Sequence, residues 1–116
     1  YPKVKKVFYP GLKSSENHAY LPKNIDGFGA VITFQLDCDE ETLWKFIDNL
    51  KIFSTAASLG SVESLVAPVK LFFGKDFSKA ELKQSGITDG TVRFAIGIED
   101  CSDLIEDIRQ SLSLLD

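Results

Sequence analysis

The feature that most constrains the fold is a strict alternation of side chains between Gly29 and Leu36. Every second position in this segment is apolar: Ala30, Ile32, Phe34 and Leu36. Because successive side chains of a strand point to opposite faces, this pattern predicts a β-strand with one face in a hydrophobic core. The segment from Thr91 to Ile98 repeats it, with Val92, Phe94, Ile96 and Ile98 on one face. Two such strands predict a sheet that is covered on one side.

Three other segments have the apolar spacing and the terminal residues of helices. The first helix is predicted from Glu40 to Leu50 and the second from Lys79 to Ser85. The predicted caps are Asp39 for the first helix, Ser78 with Glu81 for the second, and Asp100 or Ser102 for the third. The third helix carries an apolar stripe of Leu104, Ile105, Ile108, Leu112 and Leu115.

Shorter strands and a long loop complete the chain. Strands are predicted from Val4 to Tyr9 and from Glu63 to Val69, with a shorter strand candidate from Lys51 to Thr55. The polar segment from Lys13 to Asp26 is predicted to be a surface loop that can hold one helical turn. We therefore expect residues 1–116 to form a single α+β domain, a small and mostly antiparallel sheet with helices on one face.

Composition excludes several classes of function. The chain of 116 residues has a net charge of −4 and a pI near 4.9, so it lacks the positive charge that nucleic-acid binding requires. No apolar stretch approaches the roughly 20 residues of a membrane-spanning helix, and we expect no membrane partner. Cys38 and Cys101 lack the spacing of metal ligands, so no metal site is predicted, and a reducing cytoplasm is the expected location.

An arginine on the second alternating strand is the first candidate for a binding residue. Arg93 lies on the face opposite Val92 and Phe94, beside the small residues Ala95 and Gly97. An arginine with empty space beside it can bind a planar carboxylate through two parallel hydrogen bonds. It can equally pair with a nearby Asp or Glu of the chain, and the strand pattern alone favours neither reading.

A stretch of small residues is the second candidate. Gly60 would let the backbone approach a ligand, and Ser58 offers a hydroxyl and an N–H group, although such a stretch is more often a simple turn. His18 has no second histidine or cysteine at ligand spacing, which favours a structural role. Tyr1 is not a natural protein start, and the chain contains no methionine, so we expect a piece of a longer protein.

Four segments read together resemble one enzyme family. They are Tyr9-Pro10-Gly11-Leu12, Gly27-Phe28-Gly29, Ser58-Leu59-Gly60-Ser61-Val62-Glu63-Ser64-Leu65, and Val92-Arg93-Phe94-Ala95-Ile96-Gly97-Ile98-Glu99-Asp100 with Asp103-Leu104-Ile105. In this order and spacing they resemble the C-terminal part of the Cys/Met metabolism family of pyridoxal-phosphate enzymes. That family includes cystathionine γ-synthase, cystathionine γ-lyase, methionine γ-lyase and O-acetylhomoserine sulfhydrylase.

The resemblance implies the small C-terminal domain of a fold-type-I, aspartate-aminotransferase-like enzyme. It implies that the catalytic lysine and most contacts to pyridoxal 5'-phosphate lie outside this chain. Arg93 matches the family's arginine for the substrate carboxylate, in an R-x-x-x-G-I/L-E motif, and Ser58 matches the serine of its S-L-G-G motif. Ala57, Leu59 and Gly60 would then border the substrate pocket. The resemblance also implies a small amino-acid substrate and a homotetramer.

The sequence departs from the family pattern near the expected substrate entrance. Ser61 replaces the second glycine of S-L-G-G, Lys13 to His18 replaces a Ser-His-Pro run, and Lys70 to Gly74 replaces a Met-Thr-His segment. Ala57 stands where cystathionine-handling lyases tend to carry a polar or acidic group. An alanine there favours a short or apolar γ-substituent, as in a sulfhydrylase or a methionine-type lyase.

Two functions are consistent with these observations. The resemblance implies the carboxylate-binding domain of an enzyme of methionine and cysteine metabolism, one that carries out γ- or β-replacement or elimination on a sulfur amino acid or an O-acylhomoserine. The isolated domain would be inactive. The alternative is a stand-alone α+β regulatory module that binds an amino acid through one arginine and performs no chemistry.

Overall fold

The computed structural model describes residues 1–73 and 76–115. Gly74, Lys75 and Asp116 lie outside the described residues, and Gly74 is the last residue of the segment from Lys70 to Gly74 that departs from the family pattern. The strands are β1 (Val4–Phe8), β2 (Val31–Leu36), β3 (Ser54–Thr55), β4 (Leu65–Pro68) and β5 (Thr91–Ala95). The helices are α1 (Glu40–Asp48), α2 (Lys70–Phe73), α3 (Lys79–Gln84) and α4 (Cys101–Ser113), with a 3₁₀ turn at His18–Tyr20.

The strands form one five-stranded sheet in the order β1-β2-β5-β4-β3. All neighbouring pairs are antiparallel except β3 and β4, which are parallel. This arrangement confirms the predicted α+β fold with a mostly antiparallel sheet. None of the helices within the described residues is long and apolar enough to cross a membrane.

The hydrophobic core lies between one face of the sheet and helices α1 and α4. Phe34 of β2 and Phe94 of β5 stack with their ring centroids 4.9 Å apart, and Phe46 of α1 meets both rings edge-on. Leu104 and Leu112 of α4 complete this cluster. Burial of aromatic and aliphatic side chains on this scale is the main force that holds the helices on the sheet.

The opposite face of the sheet carries a row of paired residues that includes polar and charged side chains, unlike the apolar core face. Phe8 of β1 is paired with Thr33 of β2, Thr33 with Arg93 of β5, and Arg93 with Ala67 of β4. Because Val92 and Phe94 point into the core, Arg93 points away from it. The central strand β5 therefore presents a guanidinium on the face that α1 and α4 leave uncovered.

Several predicted boundaries were wrong by a few residues. The strand predicted to reach Ile98 ends at Ala95, and Ile98 is 81% exposed instead of sharing the buried face. The backbone leaves the sheet there because the N–H of Ile98 donates to the carbonyl of Val62 in the loop before β4. Ile105, predicted in the buried stripe of α4, is 50% exposed. Helix α2 lies in the segment from Lys70 to Gly74, where no helix was predicted.

Two clusters of hydrogen bonds fix the connections around the sheet. In the first, a carboxylate on the buried side of α4 caps the chain after α1: Asp107 is 5% exposed and accepts from the backbone N–H groups of Lys51 and Ile52. The distances from nitrogen to oxygen are 2.8 to 3.1 Å. Since those N–H groups have left the helix, the carboxylate replaces the acceptors that they lose.

The second cluster, which we call the Ser64–Glu99 clamp, holds the loop between β3 and β4. The Glu99 carboxylate accepts from the Ser64 N–H at 2.7 Å and from the Ser64 hydroxyl at 2.8 Å. The same hydroxyl accepts from the N–H of Gly97 at 2.9 Å. The backbone N–H of Ser64 is the main cause that lowers the pKa of Glu99 below its ordinary value.

Replacing Asp107 by alanine is expected to destabilise the fold by about 1–3 kcal/mol, because the partly buried N–H groups of Lys51 and Ile52 lose a charged acceptor. Asp107→Asn retains one carbonyl acceptor and should lose less. Urea unfolding followed by far-UV circular dichroism measures both variants. The matched control is Glu106→Ala on the same helix, which removes only an exposed pair with Arg109. Equal stability of Asp107→Ala and Glu106→Ala would contradict this role.

The clamp predicts a specific pH dependence. A carboxylate whose folded pKa lies below the unfolded value of about 4.3 stabilises the fold above that value. This stabilisation disappears as the pH falls through the folded pKa. The gap in urea midpoint between the unmodified chain and Glu99→Gln should be largest near pH 7 and should narrow at pH values below about 4. Glu16→Gln, which changes an exposed loop residue, is the control. A gap that does not change with pH would show that the charge of Glu99 does not matter.

Candidate functional site

The site is built around Arg93, which lies in the middle of the central strand β5. Its neighbours across the sheet are Thr33 and Ala67. Ala67 is small and buried, at 2% exposure. The sequence predicted open space beside Ala95 and Gly97; Ala95 is the last residue of β5, and Gly97 lies beyond the end of the strand.

The contacts of the Arg93 guanidinium come from backbone carbonyls and one aromatic ring. Its Nη2 donates to the carbonyl oxygen of Ser58 at 2.7 Å, and a longer contact of 3.4 Å reaches the carbonyl oxygen of Ala57. The ring of Phe72 lies against the guanidinium, with its centroid 4.3 Å from Cζ. Within residues 1–73 and 76–115, no carboxylate forms an ion pair with Arg93. The alternative of pairing with a local acidic residue therefore has no support in this part of the chain.

One donor of the guanidinium is left without a partner. Nε of Arg93 is buried and makes no hydrogen bond to any described residue. A buried donor without an acceptor costs about 1–3 kcal/mol, and such groups in native proteins call for an explanation. A ligand oxygen at this edge of the guanidinium would remove the penalty.

A cavity of about 340 Å³ lies beside Arg93 on the uncovered face of the sheet. Its walls include Phe8, Thr33, Val69, Phe72 and Ile87, and Arg93 is the one charged side chain among the described residues that line it. A cation at the edge of an apolar cavity attracts an anion strongly, because the surroundings screen the charge less than water does. The planar fork of the guanidinium matches the two oxygens of a carboxylate.

The structure brings some of the predicted pocket residues to Arg93 and leaves others apart. Ala57 and Ser58 reach it through their carbonyl oxygens, not through the serine hydroxyl that the sequence suggested. Leu59 is 61% exposed, and no contact between Arg93 and Leu59 or Gly60 is described. Gly60 has a φ of +74°, a conformation that other residues rarely adopt, so it shapes the turn.

Sequence reasoning missed two contributors to the site. Phe72 contacts the guanidinium, and its signal in the sequence was its place in the segment from Lys70 to Gly74, which departs from the family pattern near the expected substrate entrance. Glu99 belongs to the motif that carried the resemblance, but its role in holding Ser64 depends on a contact across 35 positions. A local sequence pattern cannot predict a contact between residues so far apart in the sequence.

Comparisons with known proteins place this geometry in a family. The model of the family described as "Cys/Met metabolism PLP-dependent enzyme" matches residues 1–113. Cystathionine gamma-synthase 1, chloroplastic, of Nicotiana tabacum is 43% identical over 112 residues, which are 97% of this chain and 21% of that protein. An L-methionine gamma-lyase of Fusobacterium nucleatum is 38% identical, and the match covers 97% of this chain and 28% of that protein.

Solved structures agree with the sequence comparisons. The cystathionine gamma synthase of Xanthomonas oryzae pv. oryzae, crystallised in complex with cystathionine, superposes with a TM-score of 0.87 at 36% identity. The match covers 99% of this chain and 30% of that one, so the chain spans less than a third of the relatives named here. The resemblance predicted from four sequence segments is thereby confirmed. The chain belongs to the Cys/Met metabolism family of enzymes that depend on pyridoxal phosphate.

Proposed function

We propose that this chain is the C-terminal, substrate-carboxylate-binding domain of a pyridoxal-phosphate-dependent enzyme. The full-length enzyme would carry out γ- or β-replacement or elimination on a sulfur amino acid or an O-acylhomoserine. Relatives named as cystathionine gamma-synthase, cystathionine beta-lyase and methionine gamma-lyase support this range of reactions. The observation that carries the proposal is the guanidinium of Arg93, which faces an apolar cavity and has no acidic partner among the described residues.

The role of Arg93 would be to orient the substrate. Its Nη2 is fixed by the carbonyl of Ser58, while the buried Nε has no hydrogen-bond partner among the described residues. A carboxylate seated on the guanidinium would be held in one plane, which sets the direction of the bonds at the neighbouring carbon. Pyridoxal phosphate, when bound, supplies the electron-withdrawing ring that makes a bond at this carbon labile.

The described residues around the cavity fit a carboxylate better than the cofactor. A phosphate group is usually bound by several backbone N–H groups at a helix N-terminus or in a glycine-rich loop. Arg93 is the one charged side chain among the described residues that line the cavity, and its planar fork matches the two oxygens of a carboxylate. As the family resemblance implies, we assign the catalytic lysine and most cofactor contacts to the rest of the full-length protein, and the isolated chain would be inactive.

Three further parts of the proposal concern the full-length protein. We infer a homotetramer, because the relatives that the sequence resembles commonly assemble in that way. We infer a role in methionine metabolism, which the names of the relatives support. We infer a cytoplasmic location, as expected from two cysteines that lack the spacing of a disulfide framework.

Arg93→Lys in the full-length enzyme tests the central assignment. Lysine keeps the charge but loses the planar fork, which should cost about 2–4 kcal/mol of transition-state stabilisation. This loss corresponds to a fall in kcat/KM of roughly 30- to 1,000-fold. Steady-state kinetics with the substrate of highest turnover measures this loss. Arg109→Lys is the matched control, because Arg109 is exposed and pairs with Glu106 on α4. If both variants retain full kcat/KM, Arg93 does not bind the substrate.

The side chain at position 57 leads to a prediction about the substrate. Ala57 lies next to Ser58 at the guanidinium and offers no polar group to a distal amino acid. We expect the full-length enzyme to turn over O-acetylhomoserine with sulfide, or methionine, with a higher kcat/KM than cystathionine. Parallel assays of the three substrates decide the question. A clear preference for cystathionine would overturn this part of the proposal and leave the role of Arg93 intact.

A further inference from the structure

The Arg93 guanidinium lies over the face of an aromatic ring. The ring centroid of Phe72 lies 4.3 Å from Cζ of Arg93, well within the distance at which a cation interacts with an aromatic face. The adjacent Phe73 meets the ring of Phe77 edge-on at 5.7 Å and also lies beside Phe72, with ring centroids 6.3 Å apart. Among the described residues, Phe72 is the aromatic residue in contact with the Arg93 guanidinium.

The backbone holds this ring in a fixed place relative to β5. Helix α2 begins two residues after the end of β4, and the N–H of Phe72 donates to the carbonyl of Val69 at 3.0 Å. The N–H of Val69 in turn donates to the carbonyl of Thr91 at 2.9 Å, and Val69 is 8% exposed. Thr91 lies on the same strand as Arg93, two positions away. The ring and the guanidinium thus share one rigid support.

Two contacts together restrict the guanidinium. The hydrogen bond from Nη2 to the carbonyl of Ser58 fixes one corner of the planar group, but it still permits rotation about that corner. The ring of Phe72 limits this rotation, because it occupies the space 4.3 Å from Cζ on one side of the guanidinium. An arginine side chain loses considerable rotamer freedom when it binds a ligand, and holding it in place beforehand reduces that loss.

We propose that Phe72 is a positioning residue, which holds the Arg93 guanidinium in the plane that receives the substrate's carboxylate. This inference rests on the proposed function of Arg93. It assigns a role in substrate binding to α2, whose sequence differs from the family pattern. Phe72 acts through Arg93 and makes no chemical step of its own.

The test uses the full-length holoenzyme and two competitive inhibitors, L-norleucine and pentylamine. Pentylamine has the same carbon chain and amino group as norleucine but lacks the carboxylate. In Phe72→Leu the inhibition constant of norleucine should rise roughly 3- to 30-fold, because the guanidinium loses its aromatic support. The constant of pentylamine should change less than twofold. Phe72→Tyr, which keeps an aromatic face, should restore the original value for norleucine.

Controls separate this role from packing and from the proposed function itself. Phe77→Leu removes a nearby ring that does not line the cavity, and it should leave both inhibition constants within twofold of the original values. If Phe72→Leu does not fold, Phe72→Met takes its place with the same expectation. An equal rise for norleucine and pentylamine, or no rise for either, would overturn the inference. A full loss of activity in Arg93→Lys alongside an unaffected Phe72→Leu would refute only the role of Phe72.

Discussion

The hydrogen bond from Arg93 to the carbonyl of Ser58 joins two segments that lie 35 positions apart in the chain. It connects the central strand of the sheet to the loop between β3 and β4, and it determines where the positive charge is held. A hydrogen bond from a charged group contributes about 1.5–3 kcal/mol when both partners are well placed. The geometry of the site therefore depends on how well the fold fixes the strand and the loop.

Each partner in that bond is fixed by a different part of the fold. The aromatic core under β5 determines which face Arg93 occupies, because Phe94 must pack against Phe34 and Phe46. The loop is held at its other end by Glu99 and by the close approach of Gly97. A side chain at position 97 would place its first carbon 2.3 Å from the carbonyl oxygen of Val62, so only glycine fits there. The packing of the core therefore positions Arg93, and the Ser64–Glu99 clamp positions the loop between β3 and β4 beside it.

Local patterns were sufficient to predict the elements that carry strong periodicity. The alternation of β2 and the capping box of α3 identified both elements to within two residues at each end, since each pattern arises within one element. The contact between Asp107 and Lys51 was not predictable, because it joins residues 56 positions apart. Helix α2 is only four residues long, and such a short helix depends on tertiary contacts more than on intrinsic propensity.

The part of the site that arises within a single element was predictable, and the part that depends on contacts between elements was not. Alternation placed Arg93 opposite the core, and four sequence segments together identified the family. The surroundings of the guanidinium come from other elements: Ala67 of β4, Phe72 of α2 and the carbonyl of Ser58. These contacts depend on the order of the strands in the sheet. The sequence of β5 alone does not predict which strands lie beside it.

The central claim is that the guanidinium of Arg93 binds the carboxylate of an amino-acid substrate. A crystal structure of the full-length protein with a bound amino acid tests it most directly. The account predicts two hydrogen bonds from the guanidinium of Arg93 to the carboxylate oxygens, at about 2.7–2.9 Å. A carboxylate held by other groups, with the Arg93 guanidinium turned away from it, would contradict the account.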